Sequence, residues 1–340
     1  MSGLDVAGWA ESRIGRYFGL VSAVPSAVLV FYTYFLLSSG GLTGPPNWAQ
    51  GFRSLTHISI STAAALSLVA LLLGLTLHPL QFAIVQLYEG YWGRTELARR
   101  AALHLSGRHW EYIRPLRTQQ FHLTAQLERR KMPDRVGQWL NATLMEALRA
   151  SDLYPERSAD FMPTRLGNVL RRYERSAGAP FGLDAVRVLP QLALVSAEKD
   201  LAYLNDQRSG MDLAVRLSAT SLMATMVTVV WLWNDGIWLL VALIPYGLSY
   251  LFYCGAVVTA HEYGAAIGAV VALNRFALYE RLNIPAPGSA AEERRQNQTV
   301  TAMLAFRPGV DMDFGPAPQA PLGGLPLRMI KKLFRRYPEK

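Results

Sequence analysis

LSATSLMATMVTVVWLWNDGIWLLVALIPYGLSYLFYCGA (residues 217–256) is the stretch that decides the fold class of this chain. Two long uncharged runs are separated only by the tripeptide NDG. A bilayer core requires about 20 apolar residues in a helix, so we expect both runs to cross it. Tryptophan prefers the membrane–water interface, and Trp231, Trp233 and Trp238 all lie beside NDG. The stretch therefore predicts two transmembrane helices joined by a tight turn.

The composition of the whole chain agrees with a membrane location. Of its 340 residues, 51% are hydrophobic and only 17% are charged, which is too apolar for an ordinary soluble enzyme. Apolar residues concentrate in two zones, 17–92 and 214–280, whereas charged residues concentrate between and after them. Arginine far outnumbers lysine, as in proteins of GC-rich bacterial genomes. These features predict a multi-pass protein of the bacterial inner (plasma) membrane.

The first apolar zone contains two further candidate spans. Tyr17–Leu37 has no charged residue and no cleavage pattern after it, so we interpret it as a retained anchor. The next span begins near Ile58 and leaves the apolar core at His78 and Pro79, where we expect a bend and an interfacial extension. The predicted fold is all-α, with four transmembrane helices in two hairpins and a helical cytoplasmic domain between spans two and three.

The positions of arginine and lysine predict the orientation. Cytoplasmic flanks of membrane spans are enriched in these residues. Arg13 and Arg16 precede the first span, Arg53 is the only Arg or Lys between the first two spans, and NDG contains none. The region 93–213 and the C-terminal tail contain nearly all the others. We therefore expect the N-terminus, the C-terminus and the central domain to be cytoplasmic.

Changes in composition define six segments. Apolar residues at spacings of three and four predict helices between residues 93 and 213, and enrichment in Pro, Gly and Ala predicts a flexible linker after residue 282. The predicted segments are a cytoplasmic N-terminal segment (1–16), a first transmembrane hairpin with an interfacial extension (17–92), a helical cytoplasmic domain (93–213), a second transmembrane hairpin whose last helix enters the cytoplasm (214–282), a Pro/Gly-rich linker (283–326) and a basic amphipathic tail (327–340).

An ionisable pair, His261 and Glu262, lies in an otherwise apolar run. The 37 residues from Ile237 to Leu273 are too many for one perpendicular span and barely enough for two. We interpret them as one span that ends near Ala256 and continues as helix, which places the pair about one turn beyond the hydrocarbon. A mid-membrane position is the alternative.

Polar side chains on the extension of the second span are expected at a similar depth. They lie on one side of that helix at 100° per residue. The pattern predicts a polar cytoplasmic mouth for ions or protons, and the alternative is an interfacial helix whose polar side faces water. The residues of the predicted mouth are His78, Gln81, Gln86, Glu89, His261 and Glu262.

Small residues recur at every fourth position of the last span. Such a ladder lets another helix approach closely, and therefore predicts helix packing, either within the chain or between subunits of a homo-oligomer. The ladder consists of Ala256, Ala260, Gly264, Gly268 and Ala272.

The stretch LRMIKKLFRRY (327–337) separates apolar and cationic residues at helical spacing. This pattern is typical of a helix that lies on a membrane surface and contacts anionic lipid headgroups, and the alternative is a disordered basic tail. The residues predicted to contact the membrane surface are Arg328, Ile330, Lys331, Lys332, Phe334, Arg335 and Arg336.

Sequence motifs give little support to an enzyme. HEYGA at 261–265 lacks the second histidine of the HExxH motif, and no GxSxG or Walker A sequence occurs. Cys254 is the only cysteine, which excludes a disulfide within the chain and a thiolate metal cage. Asp311 and Asp313 form a carboxylate pair with no histidine nearby. We expect no enzymatic activity, cofactor, metal or nucleic-acid partner.

Two stretches, PTRLGNVLRRYERSAGAPFGLD (163–184) and ALNRFALYERLNIPAP (272–287), resemble segments of uncharacterised multi-pass membrane proteins of high-GC Gram-positive bacteria. They cover about a tenth of the chain. The resemblance implies source and topology, but no activity and no site residues. Two hairpins around a helical cytoplasmic domain are also similar to the layout of bestrophin channels, in topology only.

Two functions from different classes fit these predictions. The first is a self-associating structural, interaction or sensing protein whose domain 93–213 binds a cytoplasmic protein partner. The second is an oligomeric, bestrophin-like ion channel lined by the polar mouth. A membrane-bound enzyme is a third and weaker hypothesis.

Overall fold

The computed structural model describes residues 21, 23–41, 44–129, 135–308, 311–312 and 314–315. This part of the chain is all-α, as predicted, and contains no β-strand. Its α-helices are α1 (Val24–Ser38), α2 (Trp48–Thr56), α3 (Ile60–Leu77), α4 (Gln81–Glu89), α5 (Glu96–Glu128), α6 (Arg135–Ser151), α7 (Arg165–Ser176), α8 (Ala185–Val195), α9 (Glu198–Trp231), α10 (Leu243–Arg281) and α11 (Ala290–Leu304). Short 3₁₀ helices occur at Ser158–Asp160, Ala179–Phe181 and Gly236–Ala242.

Three helical segments within the described residues are long and apolar enough to cross a membrane. They are Ile60–Leu77, a part of Glu198–Trp231 and a part of Gly236–Arg281. Helix α1 is apolar but has only 15 described residues. Three such segments indicate a membrane protein.

Helices α9 and α10 form an antiparallel pair. Near the middle of the pair, the Ser218 and Ser249 hydroxyls each donate to the backbone carbonyl oxygen of the other residue at 2.9 Å. Farther from the turn, Asn274 Nδ2 donates to Asp200 Oδ2 at 3.1 Å. With 34 and 39 residues, the two helices are about 51 and 58 Å long, which exceeds the roughly 30 Å bilayer core.

The first hairpin packs beside this pair. Helix α1 lies against α3 and α9, and the Tyr32 and Thr228 hydroxyl oxygens are 2.7 Å apart. The Trp48 and Trp238 ring centroids are 5.6 Å apart. The connections α1–α3 and α9–α10 therefore meet at one end of the bundle.

The expected bend at Pro79 is present. Helix α3 ends at Leu77 and α4 begins at Gln81. Proline has no backbone N–H and its ring clashes with the preceding helical turn, so it interrupts the helix. After the bend, α4 packs along α9: Gln81 Nε2 donates to the Asp212 carbonyl oxygen at 3.2 Å, and the Tyr88 and Ser218 hydroxyl oxygens are 3.1 Å apart, so α4 and α9 run in the same direction.

The helices α7, α8 and α11 form a layer on the extension of α10. Helix α7 packs on α10 and on α4, and α8 packs on α10. The two stretches 163–184 and 272–287 meet in this layer, where the Arg275 guanidinium lies 4.3 Å from the centroid of the Phe181 ring. Helix α7 begins against α10, because the Arg165 backbone N–H donates to the Tyr253 hydroxyl oxygen at 3.1 Å.

Helices α5 and α6 form a hairpin, called the arm below. The buried contacts between them include Leu123, Leu140 and Leu144. Gln120 Nε2 also donates to the Ala147 carbonyl oxygen at 2.7 Å. Because α5 packs mainly on α6, the arm leaves large apolar side chains exposed.

The prediction of a flexible linker is wrong for residues 290–304, which form α11. The Ser289 hydroxyl accepts from the Glu292 backbone N–H at 3.2 Å, and Glu292 Oε2 accepts from the Gly288 N–H at 2.7 Å, so a side-chain cap starts the helix. Asn297 and Val300 are fully buried against the layer. Pro and Gly residues on either side of this amphipathic helix made the whole region resemble a linker in the sequence.

Candidate functional site

A cavity of about 510 Å³ lies between α4, α7, α8, α9 and α10, next to the end of α3. We call it the boundary cavity, because it adjoins the point where the apolar segment of α3 ends at Leu77. Its walls include two tyrosine rings, Tyr173 and Tyr263. The charged or titratable residues of its wall, apart from these tyrosines, are His78, Glu89, Glu174, Arg208 and Asp212.

Glu89 is the last residue of α4, and contacts with α7 fix its position. Gly90 follows in the left-handed region at φ 104°, which ends α4. Thr164 Oγ1 donates to the Glu89 carbonyl oxygen at 2.9 Å and accepts from the Gly167 N–H at 3.0 Å. A Cβ atom at Gly167 would overlap that carbonyl group, so the close approach of α7 to α4 requires glycine here.

The Glu89 carboxyl group is partly buried and lies near a second carboxyl group. Burial is the main reason that its pKa is raised to about 7; the charge of Glu174 acts in the same direction, and the charge of Arg171 opposes it. No ion pair of Glu89 is found among the described residues. Glu89 therefore changes its charge near neutral pH.

The two other carboxylates in the wall have cationic partners. Arg171 Nη1 lies 3.0 Å from Glu174 Oε2. Arg208 Nε lies 3.8 Å from Asp212 Oδ2, and Asp212 is almost fully buried. Each of these pairs has almost no net charge. The two carboxylates therefore differ from Glu89, which has no ion pair among the described residues.

Most of the remaining wall is apolar. Its apolar residues include Phe82 and Val85 from α4, Leu170 from α7, Met211 from α9 and Ile267 from α10. Helix α8 contributes aliphatic residues and no charged side chain. Such a wall, with a few convergent polar groups, is typical of sites for small organic ligands.

A fully buried arginine lies beside the cavity and stabilises the bend between α3 and α4. Arg216 Nε donates to Gln81 Oε1 at 2.7 Å, and Arg216 Nη2 donates to the Leu77 carbonyl oxygen at 3.2 Å. Gln81 Nε2 donates in turn to the Asp212 carbonyl oxygen at 3.2 Å. Leu77 is the last residue of α3, where a positive charge also interacts favourably with the helix dipole.

The structure brings three of the six predicted mouth residues together. His78, Gln81 and Glu89 all line the boundary cavity. They come from the bend and from α4, and the rest of the cavity wall is mostly apolar.

The other three predicted mouth residues lie outside the cavity lining. His261 Nδ1 is 3.1 Å from the hydroxyl oxygen of Tyr173, so it contacts the cavity wall from behind. Glu262 is exposed, and Gln86 is partly buried elsewhere on α4. These three residues therefore do not share the cavity surface with His78, Gln81 and Glu89.

The ladder of small residues packs within the chain along its first part. Ala256 and Ala260 are fully buried against residues of α7 and α9. Gly264 lies against the Tyr173 ring, which would overlap a Cβ atom at that position. The last two residues of the ladder are partly buried. The ladder therefore accepts α7, and its first three residues are not available to another subunit.

Four charged residues at or beside the cavity were missed in the sequence. Three of them, Arg208, Asp212 and Arg216, are spaced by four residues and share one face of α9, a signal that was present. Glu174 had no such signal, because its position depends on how α7 packs. The predicted membrane-surface residues of the tail (327–340) lie outside the described residues.

Within the described residues, no group of three or more His, Cys, Asp or Glu side chains is arranged to hold a metal ion. Asp311 is exposed, and Asp313 lies outside the described residues. The boundary cavity thus combines a mostly apolar wall with one carboxyl group, Glu89, that has no ion pair among the described residues.

No protein-family model, curated protein or solved structure matches this chain.

Proposed function

We propose that this chain is a self-associating multi-pass protein of the bacterial inner membrane with a structural, interaction or sensing role and no enzymatic activity. The main observation that supports the proposal is that α9 and α10 are continuous helices. Each helix runs without interruption from an apolar, membrane-length segment into the layer that contains α7 and α8. An event in that layer would therefore be transmitted to the membrane helices through rigid elements.

Four spans are proposed, with α1 as the first. Helix α1 packs beside α3 and α9, and the connections of both hairpins meet at one end of the bundle. The Arg-rich region 93–213 follows α4, which packs on α9 beside Asp212 and Ser218, away from those connections. The positive-inside rule then favours a cytoplasmic location for this region and for both termini.

The arm supports an interaction role. Leu97, Phe121 and Trp139 are 82%, 74% and 65% exposed. Exposed apolar side chains of this size on a helical hairpin are candidate positions for protein binding. We propose that the arm binds either a second copy of the chain or a cytoplasmic protein.

The boundary cavity supports a sensing role. It lies where α4, the layer and the long helices α9 and α10 meet, and one of its carboxyl groups titrates near pH 7. A ligand or a proton in this cavity would interact with all of these elements at once.

Mass measurement of the purified protein in detergent and affinity capture through residues 93–213 test the proposal. We expect an oligomer, a captured cytoplasmic protein, or both. Phe121→Ser combined with Trp139→Ser should abolish the association without unfolding the chain, because both side chains are exposed. Arg100→Ser, on an exposed and polar part of the arm, is the matched control. A monomer that captures no protein would contradict the proposal.

An oligomeric ion channel is the alternative proposal, and the polar lining contributed by His78, Gln81 and Glu89 favours it. Planar-bilayer recording of the purified protein tests it. We expect conductance that falls when Glu89→Gln and Glu262→Gln are combined. Absence of conductance, or conductance unaffected by the double substitution, would exclude the channel.

A further inference from the structure

The charge of the boundary cavity depends on one side chain. Asp212 lies 3.8 Å from Arg208, and Glu174 lies 3.0 Å from Arg171, so each of these carboxylates is neutralised by its partner. Glu89 has no ion pair within the described part of the chain. When ionised, Glu89 is therefore the carboxylate of the wall that has no cationic partner at ion-pair distance among the residues that the structure describes; the buried Arg216 guanidinium beside the cavity donates to Gln81 Oε1 and to the Leu77 carbonyl oxygen.

The rest of the wall determines what kind of ligand would balance this charge. A hydrated inorganic cation would lose water against Phe82, Val85 and Met211 and would gain few oxygen ligands besides Glu89, because the other two carboxylates of the wall are in ion pairs. An anionic ligand would be repelled by the carboxylates. A cation with an apolar body would instead cover the apolar wall and place its charge beside Glu89.

A tyrosine ring strengthens this match. Tyr263 lines the cavity, and the face of a tyrosine ring attracts cations, whereas the Tyr173 ring already has the Arg172 guanidinium 4.9 Å from its centroid. The volume of about 510 Å³ is within the range that small organic ligands occupy.

We propose that the boundary cavity binds a small organic cation with an apolar body, and that the Glu89 carboxylate is its counter-ion. This inference rests on the proposed sensing function and gives it a ligand class. Bound cation and bound proton compete for the same carboxylate, so the ligand releases a proton from Glu89 when it binds below pH 7.

Other titratable or charged groups face Glu89 from every element around it except α8, which contributes only Ala185, Val186 and Leu189. A test based on pH must separate Glu89 from these groups. They are His78 from the bend, Tyr91 after α4, Arg171, Tyr173 and Glu174 from α7, Arg208, Asp212 and Arg216 from α9, and Tyr263 from α10.

Binding of three probes of similar shape tests the proposal. The full chain is reconstituted in phosphatidylcholine nanodiscs, and titration calorimetry is performed with benzyltrimethylammonium (a permanent cation), benzyl methyl sulfone (neutral) and phenylmethanesulfonate (a permanent anion), with empty nanodiscs as the blank. We expect the cation to bind at least about tenfold more tightly than the neutral probe at pH 8. The anion should not bind.

The pH dependence assigns the binding to Glu89. Because the probe has a permanent charge and the pKa of Glu89 is about 7, its affinity should rise about tenfold from pH 6 to pH 8. Glu89→Gln should remove this rise and weaken binding at pH 8 by about tenfold or more. Histidines also titrate in this range, so His78→Gln must preserve the rise. Glu280→Gln, at an exposed glutamate outside the cavity, should match the wild type.

A second variant shows where the probe binds. Val186 is exposed on one side and lines the cavity on the other, so Val186→Trp should fill the cavity and abolish binding at both pH values. The thermal midpoints of Glu89→Gln and Val186→Trp are compared with that of the wild type to confirm that both variants are folded.

Three results would overturn the inference: equal affinity for the cation and the neutral probe, unchanged cation affinity in Glu89→Gln, or no cation binding at millimolar concentration. A chain that self-associates or captures a partner through the arm but does not bind the cation would refute only this inference. A chain that binds the cation but neither self-associates nor captures a partner would refute the interaction role instead.

Discussion

Glu89 acquires its properties from contacts that its sequence neighbours do not show. The periodicity of α4 grouped Glu89 with His78 and Gln81, and all three line the boundary cavity. Glu174, the second carboxylate near Glu89, is 85 positions away in the sequence. It approaches Glu89 only because Gly167 lets α7 contact the end of α4. The pKa of Glu89 therefore could not be predicted from the sequence, since it depends on burial by a distant helix.

Replacement of Glu89 by glutamine should stabilise the protein at alkaline pH. The pKa of Glu89 is raised from 4.5 in the unfolded chain to about 7 in the folded protein. As the pH rises, the unfolded chain loses this proton first, so wild-type stability falls between pH 4.5 and 7. The shift sets an upper limit of roughly 3 kcal/mol, and we expect about 1–2 kcal/mol because the side chain is partly solvated.

Thermal midpoints of the detergent-solubilised full chain at pH 5 and pH 8 measure this effect. The midpoint of Glu89→Gln should exceed that of the wild type at pH 8 and nearly equal it at pH 5. Glu280→Gln should show no such difference. A Glu89→Gln midpoint that is equally displaced at both pH values would show that ionisation of Glu89 has no effect on stability.

Arg216 should be among the residues whose loss destabilises the fold most. Arg216→Met removes two hydrogen bonds from a charged donor and leaves Gln81 Oε1 and the Leu77 carbonyl without them. We expect a loss of about 2–4 kcal/mol, measured as a fall in thermal midpoint. Arg100→Met, which removes an exposed ion pair, should cost less than about 1 kcal/mol. Equal midpoints for the two variants would contradict the role assigned to Arg216.

At the scale of elements, the small-residue ladder of α10 shows both the reach and the limit of sequence reasoning. The spacing of Ala256, Ala260 and Gly264 predicted close helix packing, and these residues are buried. The spacing could not identify the partner, because any helix with a complementary ridge fits a groove of small residues. The partner is α7, whose Tyr173 ring lies against Gly264.

Gly264→Ala should destabilise the packing of α7 on α10. The added methyl group would overlap the Tyr173 ring, which must move for the chain to fold. We expect a loss of about 1–3 kcal/mol in thermal stability. Gly255→Ala is the matched control on the same helix, because no atom lies within 4 Å of the added Cβ. It should be neutral or stabilising, by up to about 1 kcal/mol. Equal destabilisation by both substitutions would argue against a specific α7 contact.

The C-terminal stretch supports a prediction from sequence alone. A peptide of residues 325–340 should be disordered in water, because isolated helices of this length are marginal, and helical on vesicles that contain anionic lipid. Binding should weaken as salt increases. Each basic residue contributes on the order of 1 kcal/mol near an anionic surface, so changing all five cations of 327–337 to glutamate should abolish binding.

Circular dichroism and vesicle sedimentation measure this binding. Ile330→Ser combined with Phe334→Ser should reduce binding even at low salt, because these substitutions remove apolar contacts and leave every charge. Equal binding to neutral and anionic vesicles, or a peptide that remains unstructured on both, would exclude a membrane-surface role.

For the whole molecule, the apolar stretches were predictable and the α7–α8–α11 layer was not. Uncharged runs such as 217–233 are recognisable because a bilayer imposes a minimum length on them. Helix α11 was missed, because its burial depends on α10 and on Phe181, to whose carbonyl oxygen Asn297 Nδ2 donates at 2.8 Å. The boundary cavity was likewise beyond prediction as a whole, since five helices from distant parts of the chain form it.

The central claim is that an even number of spans places the arm and the α7–α8–α11 layer on the cytoplasmic side of the membrane. Labelling of single cysteines in bacterial cells with a membrane-impermeant maleimide tests it most directly. Cys254, the only cysteine, is first replaced by serine. The reporter positions, all exposed, are Gln50 and Asn234 in the connections of the two hairpins, Ala101 in the arm and Ala291 in α11.

We predict that cysteines at Gln50 and Asn234 react in intact cells, and that cysteines at Ala101 and Ala291 react only after the cells are permeabilised. Labelling of Ala101→Cys or Ala291→Cys in intact cells, or protection of Gln50→Cys and Asn234→Cys, would contradict the account.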